Sequence, residues 1–269
     1  GQLMNILLTL NDNYVRPCTV MLHSIIKSNP SSQIHFYIIY QNLTWENQDI
    51  LAHSVSGYQM TFLPFPESYL KDCPTSKRYP VEMYFRLFAA ELLPDNLDRI
   101  LYLDPDMIII NPLDQLYHID FDNHIFVATT HVQKFFSKLN EHRLSLEEDT
   151  PYINTGVLLM NLKKLRQEHN QNNIHSFIKE NKMRLLLPDQ DVFTALYGNQ
   201  TKLVDASIYN LGEKYLLTHH MTGVLTDKSL DWVRNNAVII HYYGKNKPWK
   251  KDYVGNLDIF YHEMEQDML

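Results

Sequence analysis

Three short apolar runs separated by helix-spaced segments occupy residues 4–63, and this alternation restricts the chain to an α/β architecture whose sheet begins parallel. Residues 4–10 (MNILLTL) end in the polar cluster Asn11, Asp12, Asn13; residues 14–27 then repeat apolar side chains at helical spacing, with Pro17 tolerated in a first turn. Residues 28–32 break that helix. Residues 33–40 (QIHFYIIY) are rich in β-branched and aromatic side chains, which places a second strand within reach of a βαβ crossover. Thr44 is suited to cap a helix running to residue 55, residues 58–63 form a third strand, and the Pro/Ser-rich stretch 64–80 is an irregular excursion.

Further along, the spacing predicts a helix over 81–92 that stops before Pro94, then the run 99–110 (RILYLDPDMIII), apolar except at its centre. Residues 124–130 and 156–160 read as strands, the second leading into a helix from residue 161. Between them, residues 131–150 are long, charged and without clear periodicity, a candidate lid or acceptor loop. A polar Asn-rich linker, residues 174–187, a helix over 189–197 closed by Gly198, a short strand at 203–204 and a late strand at 237–243 complete the pattern. No internal repeat or inter-domain linker interrupts it, so one domain over 1–269 is expected.

Composition narrows the functional classes. With 269 residues and 45% hydrophobic content the chain buries a core without staples. Its two cysteines, Cys18 and Cys73, lie outside any metal or redox spacing and suit a reducing compartment. A formal charge of -7 argues against a surface built for nucleic acid, and no apolar run is long enough for a membrane helix. Only 8 glycines are present, which leaves little room for a glycine-built phosphate loop.

The acidic interruption Asp104-Pro105-Asp106 is the most informative chemical feature. Residues two apart on an extended chain project to one side, so both carboxylates would converge at the end of a buried strand. Like charges in low dielectric repel unless a divalent cation or cationic side chains satisfy them. The plain alternative is a turn, since Asp-Pro-Asp is ordinary loop chemistry and Pro105 cannot donate in a central ladder. His241 follows the apolar run 237–240 and precedes Gly244 and Lys247. A neutral imidazole can ligate a metal, a glycine lets backbone amides approach an anion, and a lysine meets a phosphate; a core-edge histidine before a solvated basic turn would leave the same letters.

Four further elements carry two readings each. Asn154, just before Gly156, offers an amide to sugar hydroxyls or marks a simple turn. Asp189, with Gln190 beside it, opens a helix and is an N-cap by type. Arg86 sits within the apolar YFRLF, where it either snorkels or pairs with an anion inside a cleft. Asn11 to Tyr14 follow the first strand, where open α/β sheets bind ligands; Tyr14 could stack on a base there or simply belong to a polar loop.

Taken in order, LLTLNDNY, YFRLFAAELLP, RILYLDPDMII, YINTGVLLMNLKKLR, LPDQDVF and HYYGKNKPW resemble glycosyltransferase family 8 over about residues 4–249. These are retaining, sugar-nucleotide-dependent enzymes that include bacterial lipopolysaccharide galactosyl- and glucosyltransferases and the glycogenins. The resemblance implies an α/β fold of the GT-A (Rossmann-like) kind, with a mixed, mostly parallel sheet flanked by helices. In it residues 1–110 would bind nucleotide and residues 111–254 the donor sugar and acceptor. It implies Mn2+ (or Mg2+) held by Asp104, Asp106 and His241, and a UDP-hexose donor carrying galactose or glucose. Thr9, Asn13 and Tyr14 match positions lining the uridine, and Gly244 and Lys247 those facing the diphosphate. Arg86, Asn154, Asp189 and Gln190 match positions around the hexose, with Gln190 and Asp189 the catalytic pair. Two departures stand out: Asn11 replaces the first-loop aspartate of lipopolysaccharide galactosyltransferases, and His131 stands where they carry a donor-contacting aspartate.

The expected partners are thus the UDP-sugar and a glycan acceptor that the letters do not identify, with no nucleic acid. The expected location is the cytoplasm, with peripheral association at the inner membrane face and the oligomeric state left open. The sequence ends without the basic, aromatic segment that attaches such enzymes to membranes, which fits a soluble relative or a shortened chain. The competing readings are a sugar-phosphate nucleotidyltransferase, which would ordinarily need a glycine-rich loop that residues 4–14 lack, a silent sugar-nucleotide or carbohydrate-binding module, and self-glucosylation on one of 17 tyrosines.

Overall fold

The computed structural model describes residues 3–71, 73–77, 79–131, 134–144, 146–147, 149–168, 171–181, 183–221 and 230–269, with backbone alone for 134–138, 171–172 and 219–221. Its strands are β1 (Leu3–Leu10), β2 (Gln33–Tyr40), β3 (Gln59–Pro64), β4 (Arg99–Leu103), β5 (Met107–Ile109), β6 (Phe126–Thr129), β7 (Asn154–Asn161), β8 (Thr201–Leu203) and β9 (Ile239–His241). Among the described residues, seven of them form one sheet in the order β3-β2-β1-β4-β7-β6-β8, and β5 pairs with β9 in a separate two-stranded ribbon. Strands β1 to β4 run parallel, β7 is antiparallel to both β4 and β6, and β8 is parallel to β6. The mixed, mostly parallel sheet expected from the alternation is therefore present.

Alternate residues of each strand feed opposite faces. Leu7, Ile100, Tyr102, Leu158 and Met160 join one apolar cluster, while Ile6, Leu8, Leu101, Leu103, Val157 and Leu159 join the other. Burial on both faces is why the central strands read as continuous apolar runs rather than as alternating ones. Helices cover the two faces. Val15–Ser28 and Trp45–Ser54 follow β1 and β2 as the periodicity requires, and Thr44 caps the second through an Oγ1 that accepts the Asn47 N–H at 3.2 Å.

Several elements differ from the sequence expectation. The run 99–110 is not one strand: β4 lies in the large sheet and β5 in the ribbon, so the acidic interruption is the point where the chain changes sheets. The helix expected over 81–92 is interrupted at Phe88, giving Val81–Leu87 and Ala89–Leu92. Residues 131–150, read as lacking clear periodicity, contain a helix, Lys134–Leu144, whose Leu139 is exposed. The Asn-rich linker gives way to the helix Gln171–Asn181. Strand β8 falls two residues before the expected 203–204, and β9 is shorter than 237–243. Beyond Gly255 the chain folds as the helix Asp258–Asp267, held by buried Phe260 and Tyr261 and by Asp267 pairing with His23 and Lys27 of the first helix. Among the described residues no helix is long and apolar enough to cross a membrane.

The fold account predicts that Leu159→Ala, at the centre of β7 with no exposed surface, costs about 2–5 kcal/mol in urea denaturation. Thr44→Ala, which removes only a cap, should cost about 0.5–2 kcal/mol, so a reversed ranking would contradict the assignment of the core.

Candidate active site

The carboxyl ends of parallel β1 and β4 are adjacent, and the strand order reverses between them, which opens a crevice at that edge of the sheet. Because β7 is antiparallel to β4, its amino end, with Asn154, Thr155 and Gly156, reaches the same edge. Asp104 continues the β4 ladder by donating its N–H to Gly156 O at 2.9 Å, and the chain then turns through Pro105 into β5. Met107 of β5 pairs with His241 of β9, so the ribbon carries the imidazole to the two aspartates. The carboxylates do converge, but on a turn between two sheets and not on the extended chain that the spacing suggested.

One ligand atom each from Asp104, Asp106 and His241 can be chosen so that all lie within 4.8 Å of one another. His241 Nε2 is 3.4 Å from Asp104 Oδ2 and 3.0 Å from Asp106 Oδ1. Neither Nε2 nor Asp106 Oδ1 has an aligned hydrogen bond within the described residues, although both are buried. Two oxygen donors and an imidazole nitrogen, with orphaned buried atoms between them, fit a divalent cation. Gly156 makes the approach feasible: a Cβ there would meet His241 Cε1 at 2.6 Å and Asp104 Oδ2 at 3.0 Å.

Cationic side chains flank the acid pair. Arg86 is 8% exposed; its Nη1 donates to Asp104 Oδ1 at 2.9 Å and to the Tyr102 hydroxyl at 3.1 Å, while its Nη2 pairs with Asp189 Oδ2. Of its two sequence readings, pairing in a cleft is therefore the one observed. Tyr102 donates to Asp104 Oδ1 in turn, and Thr9 Oγ1 lies 3.3 Å from the Tyr102 hydroxyl. On the other side the Lys247 ammonium donates to Asp106 Oδ2 and to Tyr242 O, both at 2.7 Å, beneath the rings of Tyr14 and Trp249. Burial opposes the charge on His241, but Asp106 and Asp104 outweigh it and raise the imidazole to about 9. Burial likewise opposes ionisation of Asp106, and His241 and Lys247 outweigh that, holding it down at about 2.

A cleft of about 900 Å³ brings together Arg86, Asp104, Asn154, Asp189, Gln190 and His241. A smaller pocket of about 110 Å³ beside it is lined by Thr9, Asn11, Tyr14 and Glu82. Both amide atoms of Asn11 are engaged there, its Oδ1 accepting the Asn13 N–H at 2.9 Å and its Nδ2 donating to Glu82 Oε1 at 3.0 Å. Asn13 itself does not line this pocket and instead borders a surface groove with Asp12 and Asn47. Gly244, with φ of +76°, borders a pocket of about 290 Å³ with Lys245 and Lys214, whereas Lys247 turns away to Asp106. Asp189 is not the cap of its helix: Pro188–Tyr197 starts with Pro188 in its first turn, Leu187 is the cap residue, and Asp189 is free to meet Arg86.

Two groups escaped the sequence reading. Asp191, with no exposed surface, accepts a two-pronged pair from Arg143 at 2.8 and 3.0 Å, the Tyr152 hydroxyl at 2.6 Å and the Leu186 N–H at 2.8 Å. Burial disfavours its charge, but these donors hold its carboxyl below the usual range. It ties Lys134–Leu144 to the start of the helix that carries Asp189 and Gln190. The PDQD motif contained it, yet nothing local separated it from its neighbours. Asn210 is the second: its Oδ1 lies 2.8 Å from His241 Nδ1, and SIYNLGEK carries no motif that would have singled it out.

A model of glycosyl transferase family 8 matches residues 5–253. A lipopolysaccharide 1,2-glucosyltransferase of Escherichia coli is 24% identical over 248 residues, covering 89% of this chain and 71% of its own. A lipopolysaccharide 1,3-galactosyltransferase of Salmonella typhimurium is 25% identical, covering 91% of this chain and 72% of its own. The crystal structure of the galactosyltransferase LgtC with donor and acceptor sugar analogues superposes with a TM-score of 0.81 at 21% identity, over 98% of this chain and 96% of that one.

The raised His241 predicts a pH dependence of stability in chelator-treated protein. The folded state binds this proton more tightly than the unfolded chain, so the stabilisation is complete below about pH 6.5 and is lost as pH rises through about 9. Urea denaturation across that window should show a decline in the wild type that His241→Gln lacks; parallel profiles would contradict the assignment.

Proposed function

The chain belongs to glycosyl transferase family 8 and is a glycosyltransferase of GT-A fold; on that premise we propose that it transfers a hexose, with retention, from a UDP-sugar to a saccharide acceptor. The observation that carries this reading is the single cleft that gathers Arg86, Asp104, Asn154, Asp189, Gln190 and His241 beside an acid pair suited to a cation. Relatives named for glucosyl and galactosyl transfer to lipopolysaccharide support glucose or galactose as the hexose and a lipopolysaccharide-type saccharide as the acceptor.

In this reading Asp104, Asp106 and His241 hold Mn2+ or Mg2+. The cation supplies electrostatic stabilisation for the negative charge that collects on the leaving diphosphate. The small pocket at the ends of β1 and β4 takes the uridine, with Thr9, Asn11 and Tyr14 on its walls, and Asn13 holds the loop through its N–H. Gly244 leaves its backbone open to an anion, and Lys247 neutralises Asp106, which keeps the diphosphate side of the site from becoming too acidic. The nucleotide is thus bound mainly by residues 1–110, and the hexose and acceptor by residues 111–254.

Breaking the sugar–phosphate bond leaves positive charge on the sugar ring. Asp189, oriented by Arg86, opposes that charge, and Asn154 anchors ring hydroxyls. Gln190, an amide and therefore a weak nucleophile, contributes its carbonyl dipole. The acceptor hydroxyl attacks from the face that the diphosphate leaves, giving up its proton to the departing phosphate oxygen, so configuration is retained without a protein base. Two cysteines outside any metal or redox spacing favour a reducing compartment, which supports a cytoplasmic location.

A thermal-shift panel of nucleotide sugars tests the donor assignment: UDP-glucose or UDP-galactose with Mn2+ should raise Tm, and the Mn2+-dependent part of the shift should vanish in Asp106→Asn. Asp189→Ala and Gln190→Ala should each lower kcat by about a hundredfold or more with donor affinity nearly kept. Unaltered kcat in both, or an equal shift with every nucleotide regardless of metal, would refute the reading.

A further inference from the structure

We propose that Asn210 is a positioning residue that joins the cation side of the cleft to its sugar side, orienting His241, Asn154 and His131 through one buried side chain and one carbonyl. The proposal rests on the reading of Asp104, Asp106 and His241 as cation ligands. Asn210 has no exposed surface, and all of its side-chain hydrogen-bonding capacity near the site is directed at those residues or at β6. Its Oδ1 lies 2.8 Å from His241 Nδ1 and, as an amide oxygen, can only accept. The proton on His241 Nδ1 is thereby fixed, and the lone pair of a neutral ring is confined to Nε2, the atom that faces both aspartates.

The amide nitrogen divides its two hydrogens between Thr129 Oγ1 at 3.0 Å and Asn154 Oδ1 at 2.9 Å. Asn154 Oδ1 also accepts the Gly156 N–H at 3.0 Å, so its amide is held in one orientation, with Nδ2 turned towards His131 Nδ1 at 3.4 Å. The Asn210 carbonyl accepts from His131 Nε2 at 2.7 Å, which places that proton on Nε2 and leaves Nδ1 as the acceptor for Asn154. A register shift between Val127 and Thr129 of β6 brings Thr129 opposite Asn154 and within reach of this network. The main chain is equally fixed: Leu211 N–H donates to Ile239 O at 3.0 Å and Leu211 O accepts the His241 N–H at 2.8 Å, which locks residue 210 beside β9.

An ordinary core amide would also be buried and satisfied, so the test must separate position from stability. Asn210→Asp keeps an acceptor for His241 but removes the donor to Asn154, whereas Asn210→Ala removes both. In Mn2+ titrations followed by electron paramagnetic resonance with UDP present, Asn210→Ala should bind Mn2+ about 10–100-fold more weakly. Asn210→Asp should bind it close to wild type, yet lose the extra thermal stabilisation that UDP-glucose or UDP-galactose gives over UDP. Wild-type affinity in a folded Asn210→Ala, or equal loss in the two variants, overturns the proposal. Should the alanine variant not fold, weak Mn2+ binding by Asn210→Asp overturns it as well. A wild type that binds no Mn2+ defeats the cation reading on which the proposal rests. In every case, nitrogen-15 spectra of the metal-free wild type at alkaline pH read the neutral ring of His241 directly: a proton on Nδ1 is expected, and one on Nε2 alone refutes the role of Asn210.

Discussion

Two carboxylates and an imidazole are forced together where the chain leaves one sheet for another, and most of the surrounding architecture serves to make that tolerable. Like charges in a poorly solvated pocket repel strongly, so Asp104 and Asp106 need compensation on every side. Arg86 and the Tyr102 hydroxyl face Asp104, Lys247 faces Asp106, and His241 lies between them. Each partner comes from a different element: a helix over the sheet, a central strand, the loop after β9 and the ribbon itself. The site therefore depends on long-range packing, and a local fragment could not reproduce it.

The topology explains how those elements meet. Parallel β1 and β4 end on the same edge, and antiparallel β7 begins there, so a loop from each of three adjacent strands opens into one crevice. The helix Pro188–Tyr197 starts at the same edge, where Asp191 fastens it to Arg143 of Lys134–Leu144 and leaves Asp189 and Gln190 facing the cleft. Gly156 shows how tight the arrangement is, because even a methyl group at that position would collide with His241. The same closeness makes the polar chain through Asn210 and Asn154 continuous from the acid pair to His131.

Much of this was legible in the letters, for identifiable reasons. The strands β1 and β2 and the helices after them were readable because burial on both faces leaves unbroken apolar runs and helical spacing survives on covered faces. Asp104, Asp106, His241 and Arg86 were conspicuous because a charge inside an apolar run demands a partner. A turn at Pro105 was one of the two readings that Asp-Pro-Asp allowed, but the change of sheets there was not legible, because the pairing of β5 with the distant β9 has no local signature. Lys134–Leu144 was missed because charged and polar residues dominate the segment, Leu139 is exposed, and the Arg143–Asp191 pair that anchors the helix is a long-range contact. Asn210 and Asp191 are polar residues whose importance comes from what the fold places beside them. Asn13 and Lys247 show the converse: a sequence position suggests a ligand contact, and the side chain turns elsewhere.

The central claim is that the acid pair and the imidazole share one cation beneath a nucleotide sugar. Anomalous diffraction at the manganese edge, from crystals grown with Mn2+ and UDP, addresses it without reference to turnover. The account predicts a single strong peak within coordinating distance of Asp104, Asp106 and His241, with the uracil in the small pocket beside Tyr14. A manganese peak elsewhere, or UDP bound with these three side chains still paired only to one another and to Arg86 and Lys247, would contradict it.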